Sequence, residues 1–240
     1  MNIGFDKISP TPQYPYGIDA ALLSSCDWSS KAGVVLRFKA ALKADLRTAQ
    51  MGRCCYCRRL LFDDISTHIE HFVEKAYYPL FTFEIKNLAL WCGTCNTQKN
   101  GKHKSLTSLI KKRAERHGKA PSPRCPTLAQ ELAPNAPLPS DPQHYRWVHP
   151  HLDKYSDNIQ LRKGWVFVGK THKGSRTIRG VNLNALVQIE RRALFERLAT
   201  RGGMLSIAVG VIAELEQHEA KEVAAVVATV LRQRRNLPSQ

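Results

Sequence analysis

Two Cys-x-x-Cys pairs constrain the fold of this chain more than any other feature. They are Cys54 with Cys57 and Cys92 with Cys95. Each pair places two sulfurs on one tight turn, and four thiolates from two such turns form the closed tetrahedral ligand set of a structural zinc ion. We therefore predict that a bound Zn²⁺ joins two chain segments that are distant in sequence. A closed site of this kind leaves no open position for chemistry, so catalysis would need other residues.

The other cysteines do not suggest a disulfide framework. The chain has seven cysteines, and an odd count with two Cys-x-x-Cys pairs favours metal ligation in a reducing compartment. Buried apolar cysteines or a redox pair are the alternatives. Cys55 is too close to Cys57 for the usual zinc turn, and Cys26 and Cys125 are expected in the core or on the surface. Residues 1–15 lack the apolar core of a signal peptide and no apolar run is long enough to span a bilayer, so we expect a cytoplasmic protein.

The charge of the chain favours a polyanionic partner. There are 36 Lys and Arg against 20 Asp and Glu, which gives a net charge of +16. Such an excess attracts nucleic acid, and no basic amphipathic helix with exposed aromatic residues indicates a membrane instead. Residues 99–119 hold eight Lys and Arg and one Glu, so we expect a positive stripe with Lys99, Lys102 and Lys104 as contacts to nucleic acid. A basic protein without such a partner is the alternative.

Several residues between and beside the cysteine pairs have the chemistry for phosphodiester hydrolysis. His71 has an imidazole that can take a proton from water near neutral pH. Glu70 and Asn96 have carboxylate and amide oxygens, which suit a divalent cation such as Mg²⁺ that neutralises the charge of a phosphate. An isolated Glu-His pair is typical of a solvated strand residue beside a structural histidine. A zinc site between these segments would bring all three residues together, and this favours catalysis.

The order of these residues resembles the HNH family of ββα-metal nucleases. Its zinc-containing members have a Cys-x-x-Cys pair, then an acidic residue and His at the end of a strand, then Asn. A second Cys-x-x-Cys pair follows and leads into a helix that begins with Asn or His. The resemblance covers residues 53–104. The corresponding residues are Cys54, Cys57, Glu70, His71, Asn87, Cys92, Cys95 and Asn96.

The resemblance implies a role for each residue near the zinc site. His71 would be the general base, and Glu70 and Asn96 would bind a catalytic Mg²⁺ or Mn²⁺. Asn87 would hold the loop so that His71 points at the attacking water. Lys99 would face a phosphate.

Glu74 is the one clear departure from the family pattern. It stands where a proline usually follows the catalytic histidine. The local turn is therefore expected to differ, and an additional acid near the site can change its affinity for metal.

A second likeness concerns biological context. The chain is similar to the HNH subunits of Septu and retron-associated anti-phage systems at residues 69–72, 78–79, 87–88 and 177–184. That likeness implies cleavage of phage or foreign DNA together with a separate ATPase subunit. We expect the ATPase to bind the C-terminal helices or the proline-rich N-terminal arm. An apolar stripe at helical spacing in the C-terminal region would serve as core or as interface: Val223, Val226, Val227, Val230 and Leu231.

We predict an α+β protein in four parts. Residues 1–53 are an N-terminal arm and helix, and residues 54–104 are a zinc-stapled ββα core of the HNH type. Residues 105–150 are a basic helix and a proline-rich linker, and residues 151–240 are a β-hairpin with helices. The detailed predictions are a helix from Ser29 or Ser30 to near Gly52, strands at 66–72 and 88–91, a helix from Asn96 that Gly101 interrupts, a hairpin over 159–181 that turns at 172–174, and helices from Asn184 onwards.

The expected function is that of an HNH endonuclease, which hydrolyses phosphodiester bonds of DNA as the nuclease of an anti-phage defence system. The alternative is a zinc-containing subunit that binds nucleic acid or assembles a complex without cutting. Both would use the four cysteines and the basic stripe. Glu70, His71 and Asn96 distinguish the two, because a binding module does not need them.

Overall fold

The computed structural model describes residues 4–61, 67–118, 123–162, 165–185, 221–223 and 225–226, without the side chains at 102–104, 107, 110 and 113. The chain divides into two compact units, Met1–Asn184 and Ala185–Gln240. In the second unit, residues 221–223 and 225–226 are helical. The remaining helical predictions beyond Asn184 lie outside the described residues.

The first unit combines helices with two small antiparallel sheets, so the α+β prediction is confirmed. One sheet pairs β1 with β2 and the other pairs β3 with β4. Among the described residues, no helix is both long enough and apolar enough to cross a membrane. The helices are α1 (Ala20–Leu23), α2 (Gly33–Ala49), α3 (Gly93–Arg116), α4 (Tyr155–Asn158) and α5 (His172–Gly180), and the strands are β1 (Thr67–His71), β2 (Leu88–Cys92), β3 (Ile159–Arg162) and β4 (Val166–Gly169).

Helix α2 packs its apolar face into the core. It begins at Gly33, later than predicted, because the Ser30 hydroxyl accepts a hydrogen bond from Ala32 N at 3.1 Å and forms a local turn instead of a cap. Just beyond the helix, Gln50 exchanges two hydrogen bonds of 2.8 and 2.9 Å with the backbone of Leu90, which joins α2 to β2. The buried residues recur at helical spacing, as predicted. They are Val35, Phe38, Leu42 and Leu46.

The N-terminal arm packs against its own unit. Ile8 is buried, and its amide donates to Pro150 O at 2.9 Å. The Tyr14 hydroxyl donates to Phe83 O at 3.1 Å, within the excursion between β1 and β2. These contacts show that the arm packs, at least at Ile8 and Tyr14, on the body of its own unit.

Helix α3 runs through Gly101 without a break, so the predicted interruption is wrong. A glycine costs a helix about 1 kcal/mol relative to alanine, which a helix anchored by packing tolerates. The first turns of α3 contact both β1 and β2, and this tertiary support outweighs one unfavourable residue. The basic segment from Lys99 to Arg116 is therefore one continuous helix.

The second hairpin turns earlier than predicted. Arg162 lies opposite Val166, so the connection falls between these residues and not at 172–174. The segment that was expected as its second strand is helix α5. Thr171 caps this helix, since its hydroxyl accepts a hydrogen bond from Gly174 N at 3.0 Å. The side-chain cap outweighs the strand preference of the residues that follow it.

Replacement of glycine by alanine should change the free energy of unfolding in opposite directions at Gly101 and at Gly174. A Cβ at Gly101 would meet no atom within 4 Å, so Gly101→Ala should raise the free energy of unfolding by about 0.5–1 kcal/mol. A Cβ at Gly174 would overlap the Asn158 carbonyl, so Gly174→Ala should lower it by about 1–3 kcal/mol. Urea denaturation measures both. Shifts of the same sign in the two variants would contradict the prediction.

The segment between Thr127 and His151, most of it proline-rich, is fixed to the first sheet by polar contacts. The Thr127 hydroxyl donates to Phe72 O at 3.2 Å, directly after β1. His151 Nε2 lies 2.8 Å from Leu88 O at the start of β2. Both contacts are buried, so this segment anchors the chain at the end of β1 and at the start of β2.

Candidate functional site: a cysteine cluster and a buried histidine

The four predicted cysteines come together in a buried cluster. The Sγ atoms of Cys54, Cys57, Cys92 and Cys95 all lie within 4.8 Å of one another. Cys57 Sγ and Cys92 Sγ are 3.7 Å apart, which is too far for a disulfide. Four sulfurs bound to a tetrahedral zinc at 2.3 Å would be about 3.8 Å apart. The cluster therefore has the donors and the spacing of a structural zinc site, as predicted.

Local hydrogen bonds shape both cysteine turns before any metal is considered. In the first turn, Cys54 N donates to Arg59 O at 2.9 Å, and Arg58 N donates to Cys54 O at 3.1 Å. In the second, Cys92 ends β2 and caps α3, because its sulfur accepts a hydrogen bond from Cys95 N at 3.4 Å. The cluster thus joins the chain after α2 to the start of α3.

The protonation of the cluster explains why it suits a cation. Hydrogen bonds with Cys54 and Cys57 raise the pKa of Cys92 and of Cys95 well above the usual value for a thiol. Four thiolates in a buried site repel one another, so the metal-free cluster retains protons. A bound Zn²⁺ would compensate the negative charge and release those protons. Burial raises the pKa of Cys55 as well, and its sulfur does not belong to the cluster.

The first sheet places the predicted catalytic residues on the strand that pairs with β2, and β2 ends at Cys92 of the cluster. In β1, Glu70 lies opposite Ala89, and His71 lies opposite Leu88 at the start of β2. Strand β2 leads directly into α3. Glu70 and His71 therefore lie on a strand whose antiparallel partner continues into this helix.

His71 is held in one orientation by two neighbours of its ring. Its Nε2 lies 2.9 Å from Thr82 O, and since a carbonyl only accepts, Nε2 carries the proton. The ring is 4 % exposed, and the Trp28 indole meets it at 74° with ring centroids 4.7 Å apart. Burial lowers the pKa of His71 to about 4, and the charge of Lys99 contributes to this shift. At neutral pH the ring is therefore neutral, with its basic lone pair on Nδ1, which makes no hydrogen bond with the described residues.

Lys99 is enclosed by acceptor oxygens. Its ammonium lies 3.0 Å from Glu70 Oε1 and 2.8 Å from Glu74 Oε1, and it also donates to His71 O. Burial favours the neutral amine, but the charges of Glu70 and Glu74 raise the pKa of Lys99 above its usual value. The expectation that Lys99 faces a phosphate is corrected by this position, since the side chain has no exposed surface and its three donors have protein acceptors.

Asn87 holds the loop that orients His71. The side chain is fully buried, and its Oδ1 accepts from Val73 N at 2.7 Å. Its Nδ2 donates to Val73 O and to Phe81 O, both at 3.0 Å. Phe81 precedes Thr82, whose carbonyl fixes the imidazole of His71. Asn87 therefore links the chain after β1 to Phe81, the residue before the carbonyl that contacts His71.

Removing the Asn87 amide should destabilise the fold. Asn87→Ala leaves the backbone groups of Val73 and Phe81 buried without these partners, so we expect the free energy of unfolding to fall by about 2–4 kcal/mol. Asn100→Ala is the matched control, because that exposed amide on α3 makes a 3.1 Å hydrogen bond to Asn96. Its expected loss is below about 1 kcal/mol. Urea denaturation of the two variants checks the difference, and equal losses would count against the assigned role.

Asn96 lies in the first turns of α3 and is half-buried. Its Oδ1 accepts a hydrogen bond from Asn100 at 3.1 Å. Asn96 precedes Lys99 by three residues, so the two side chains share one face of the helix, and Lys99 contacts Glu70. Asn96 and Lys99 are thus neighbours on the surface of α3, and the Lys99 side chain reaches Glu70 on β1.

The remaining basic candidates lie further along α3. The backbone of Lys102 and Lys104 is helical, but their side chains lie outside the described residues. Lys111, Lys112 and Arg116 are exposed on later turns, so the described part of the stripe is accessible to a polyanion.

Sequence reasoning missed two neighbours of His71. Thr82 acts through its backbone carbonyl, which no residue pattern reveals. Trp28 lies before α2, far from His71 in sequence, and only the packing of α2 on the first sheet brings the two rings together.

Comparison with known proteins assigns no family to this arrangement. No protein-family model matches the chain, and no curated protein or solved structure matches it significantly. The functional proposal therefore depends on the residues themselves and their geometry.

Proposed function

We propose that this chain is a metal-dependent endonuclease of the HNH type that hydrolyses phosphodiester bonds of DNA. The observation that carries the proposal is His71, a neutral imidazole oriented through Nε2 by Thr82 O. It ends a strand beside the carboxylate of Glu70, and the paired strand leads into α3. This order of strand, strand and helix next to a four-cysteine cluster supports the family resemblance.

His71 would act as the general base. Its Nε2 already carries a proton, so the proton of the attacking water would go to Nδ1. The water oxygen then bonds to phosphorus, the bond from phosphorus to the leaving oxygen breaks, and that oxygen takes up a proton. Enclosure by Trp28 keeps the imidazole neutral at physiological pH, as a base requires.

Glu70 and Asn96 fit a divalent cation. Glu70 is half-buried, and its Oε2 makes no hydrogen bond with the described residues, while Asn96 offers an amide oxygen one helical turn before Lys99, which contacts Glu70. Carboxylate and amide oxygens are the ligands that Mg²⁺ and Mn²⁺ prefer. When bound, such a cation would offset phosphate charge and support the leaving oxygen.

Charge supports DNA as the partner. The chain carries +16, and exposed basic residues follow the site along α3. Electrostatic attraction of this kind is largely independent of nucleotide sequence and is weakened by salt. Lys102 and Lys104 remain proposed contacts, and Lys111 and Lys112 join them.

A plasmid assay tests the proposal. Purified zinc-loaded protein is incubated with supercoiled plasmid and, separately, with single-stranded RNA, with no added divalent metal, with Mg²⁺ or with Mn²⁺. We expect nicked or linear DNA only when Mg²⁺ or Mn²⁺ is present. If the protein binds plasmid but does not cleave it in any of the three metal conditions, the result would favour the non-catalytic subunit instead.

The likeness to Septu and retron-associated nucleases extends the proposal to anti-phage defence with an ATPase partner. Because the N-terminal arm packs on its own unit, the C-terminal helices are the better candidate for docking. Val226 there is 63 % exposed. Deletion of residues 204–240 should abolish co-purification of an ATPase without loss of zinc, and full defence by this chain alone would contradict the idea.

A further inference from the structure

Glu74 belongs to the site although the family resemblance gives it no role. Its Oε1 lies 2.8 Å from the Lys99 ammonium, closer than the 3.0 Å between Lys99 and Glu70 Oε1. Lys99 is fully buried, and the two carboxylates are 14 % and 20 % exposed for Glu70 and Glu74. The three charges therefore interact with little screening by water.

The formal charges of this group decide what Glu70 can bind. Lys99 and Glu70 alone would be a neutral ion pair, and a divalent cation would have to compete with the ammonium for the carboxylate. With Glu74, two negative charges face one positive charge, so the formal charges of these three side chains sum to −1.

We infer that Glu74 is a positioning residue that neutralises Lys99 and so leaves Glu70 with negative charge for a divalent cation. The inference rests on the proposed function, because that proposal makes Glu70 a metal ligand. Lys99 fixes Glu70 through Oε1, and its hydrogen bond to His71 O ties both residues to α3. Glu74 thus permits one lysine to orient the carboxylate without cancelling its charge.

Direct binding of Mn²⁺ to zinc-loaded protein tests the inference, measured by the electron paramagnetic resonance of free Mn²⁺. Glu74→Gln should weaken Mn²⁺ binding by about tenfold or more, because a unit charge is lost a few ångström from the carboxylate. Glu74→Asp keeps the charge and should stay within about threefold of wild type. Glu131→Gln is the control, since its carboxylate pairs with Arg124 at 2.7 Å and not with Lys99.

The double variant Glu74→Gln with Lys99→Met separates charge from packing. It removes one negative and one positive charge, so the group returns to −1, and Mn²⁺ affinity should recover relative to Glu74→Gln alone. Purely structural damage would instead add up in the double variant. If Glu74→Gln fails to fold, the double variant is compared directly with the wild type, whose formal charge it shares, and its Mn²⁺ affinity should lie within about threefold of wild type.

The outcomes distinguish this inference from the proposed function. Wild-type affinity in Glu74→Gln, or no recovery in the double variant, overturns the inference even if the wild-type protein cleaves DNA. Weaker binding with recovery, in a wild-type protein that never cleaves, supports the inference and overturns the nuclease proposal. Wild-type protein that binds no Mn²⁺ overturns both.

Discussion

Replacement of His71 by alanine should slow DNA cleavage by about 10²–10⁴-fold, the usual cost of losing a general base. The substitution removes the Nδ1 lone pair, which is the proposed acceptor of the proton from the attacking water, and also the imidazole that contacts Thr82 O. Initial rates on supercoiled plasmid at saturating Mn²⁺ measure the effect. Zinc content and DNA affinity should match those of wild type, because His71 is outside the cysteine cluster.

Two further variants make this result specific to the base. His71→Asn fills more of the buried space than alanine does and should be equally slow, which excludes a simple cavity effect. His68→Ala removes an exposed histidine from the same strand and should cleave within about threefold of wild type. A His71→Ala protein that cleaves at the wild-type rate would disprove the assigned mechanism.

Replacement of Cys92 by serine should abolish zinc binding and leave little soluble protein. Apparent binding free energies of structural zinc are about 10–16 kcal/mol in small zinc domains, and much of that supports folding. Cys92 also ends β2 and caps α3, and since a serine hydroxyl can still cap the helix, the variant mainly removes the metal ligand. Soluble yield, elemental analysis for zinc and the thermal unfolding midpoint measure the outcome.

Cys26→Ser is the matched control for this prediction. Cys26 is half-buried and does not belong to the cluster, so the variant should keep one zinc per chain and an unfolding midpoint close to that of wild type. Folded wild-type protein without zinc would disprove the structural role of the four cysteines.

Features that depend on local spacing were predictable. A Cys-x-x-Cys turn brings its own two sulfurs together, so the ligand set follows from the sequence once two such turns are present. Helix α2 likewise follows from apolar residues at helical spacing, and β2 from a short continuous apolar run. The break expected at Gly101 failed because contacts with the sheet outweigh the small cost of one glycine.

The second hairpin shows where local pattern and tertiary structure diverge. Thr177 and Ile178 are β-branched and favour a strand, yet they lie buried in α5. The Thr177 hydroxyl accepts a hydrogen bond from Val148 N at 2.8 Å, and Gly180 lies against the Trp147 ring, where a Cβ would overlap it. Packing against the proline-rich segment thus determines this element, and no window of neighbouring residues contains that information.

The sequence by itself determined the four-cysteine cluster and the order of the acid, the histidine and the asparagines around it. Only the tertiary structure decided the surroundings of His71 and the partners of Lys99. Lys99 meets Glu70 across 29 positions of sequence, and the meeting depends on how α3 lies against β1. A lysine at this spacing is equally compatible with a phosphate contact. Enclosure by two carboxylates arises from packing, because the free energy of a buried charge depends on every oxygen that surrounds it.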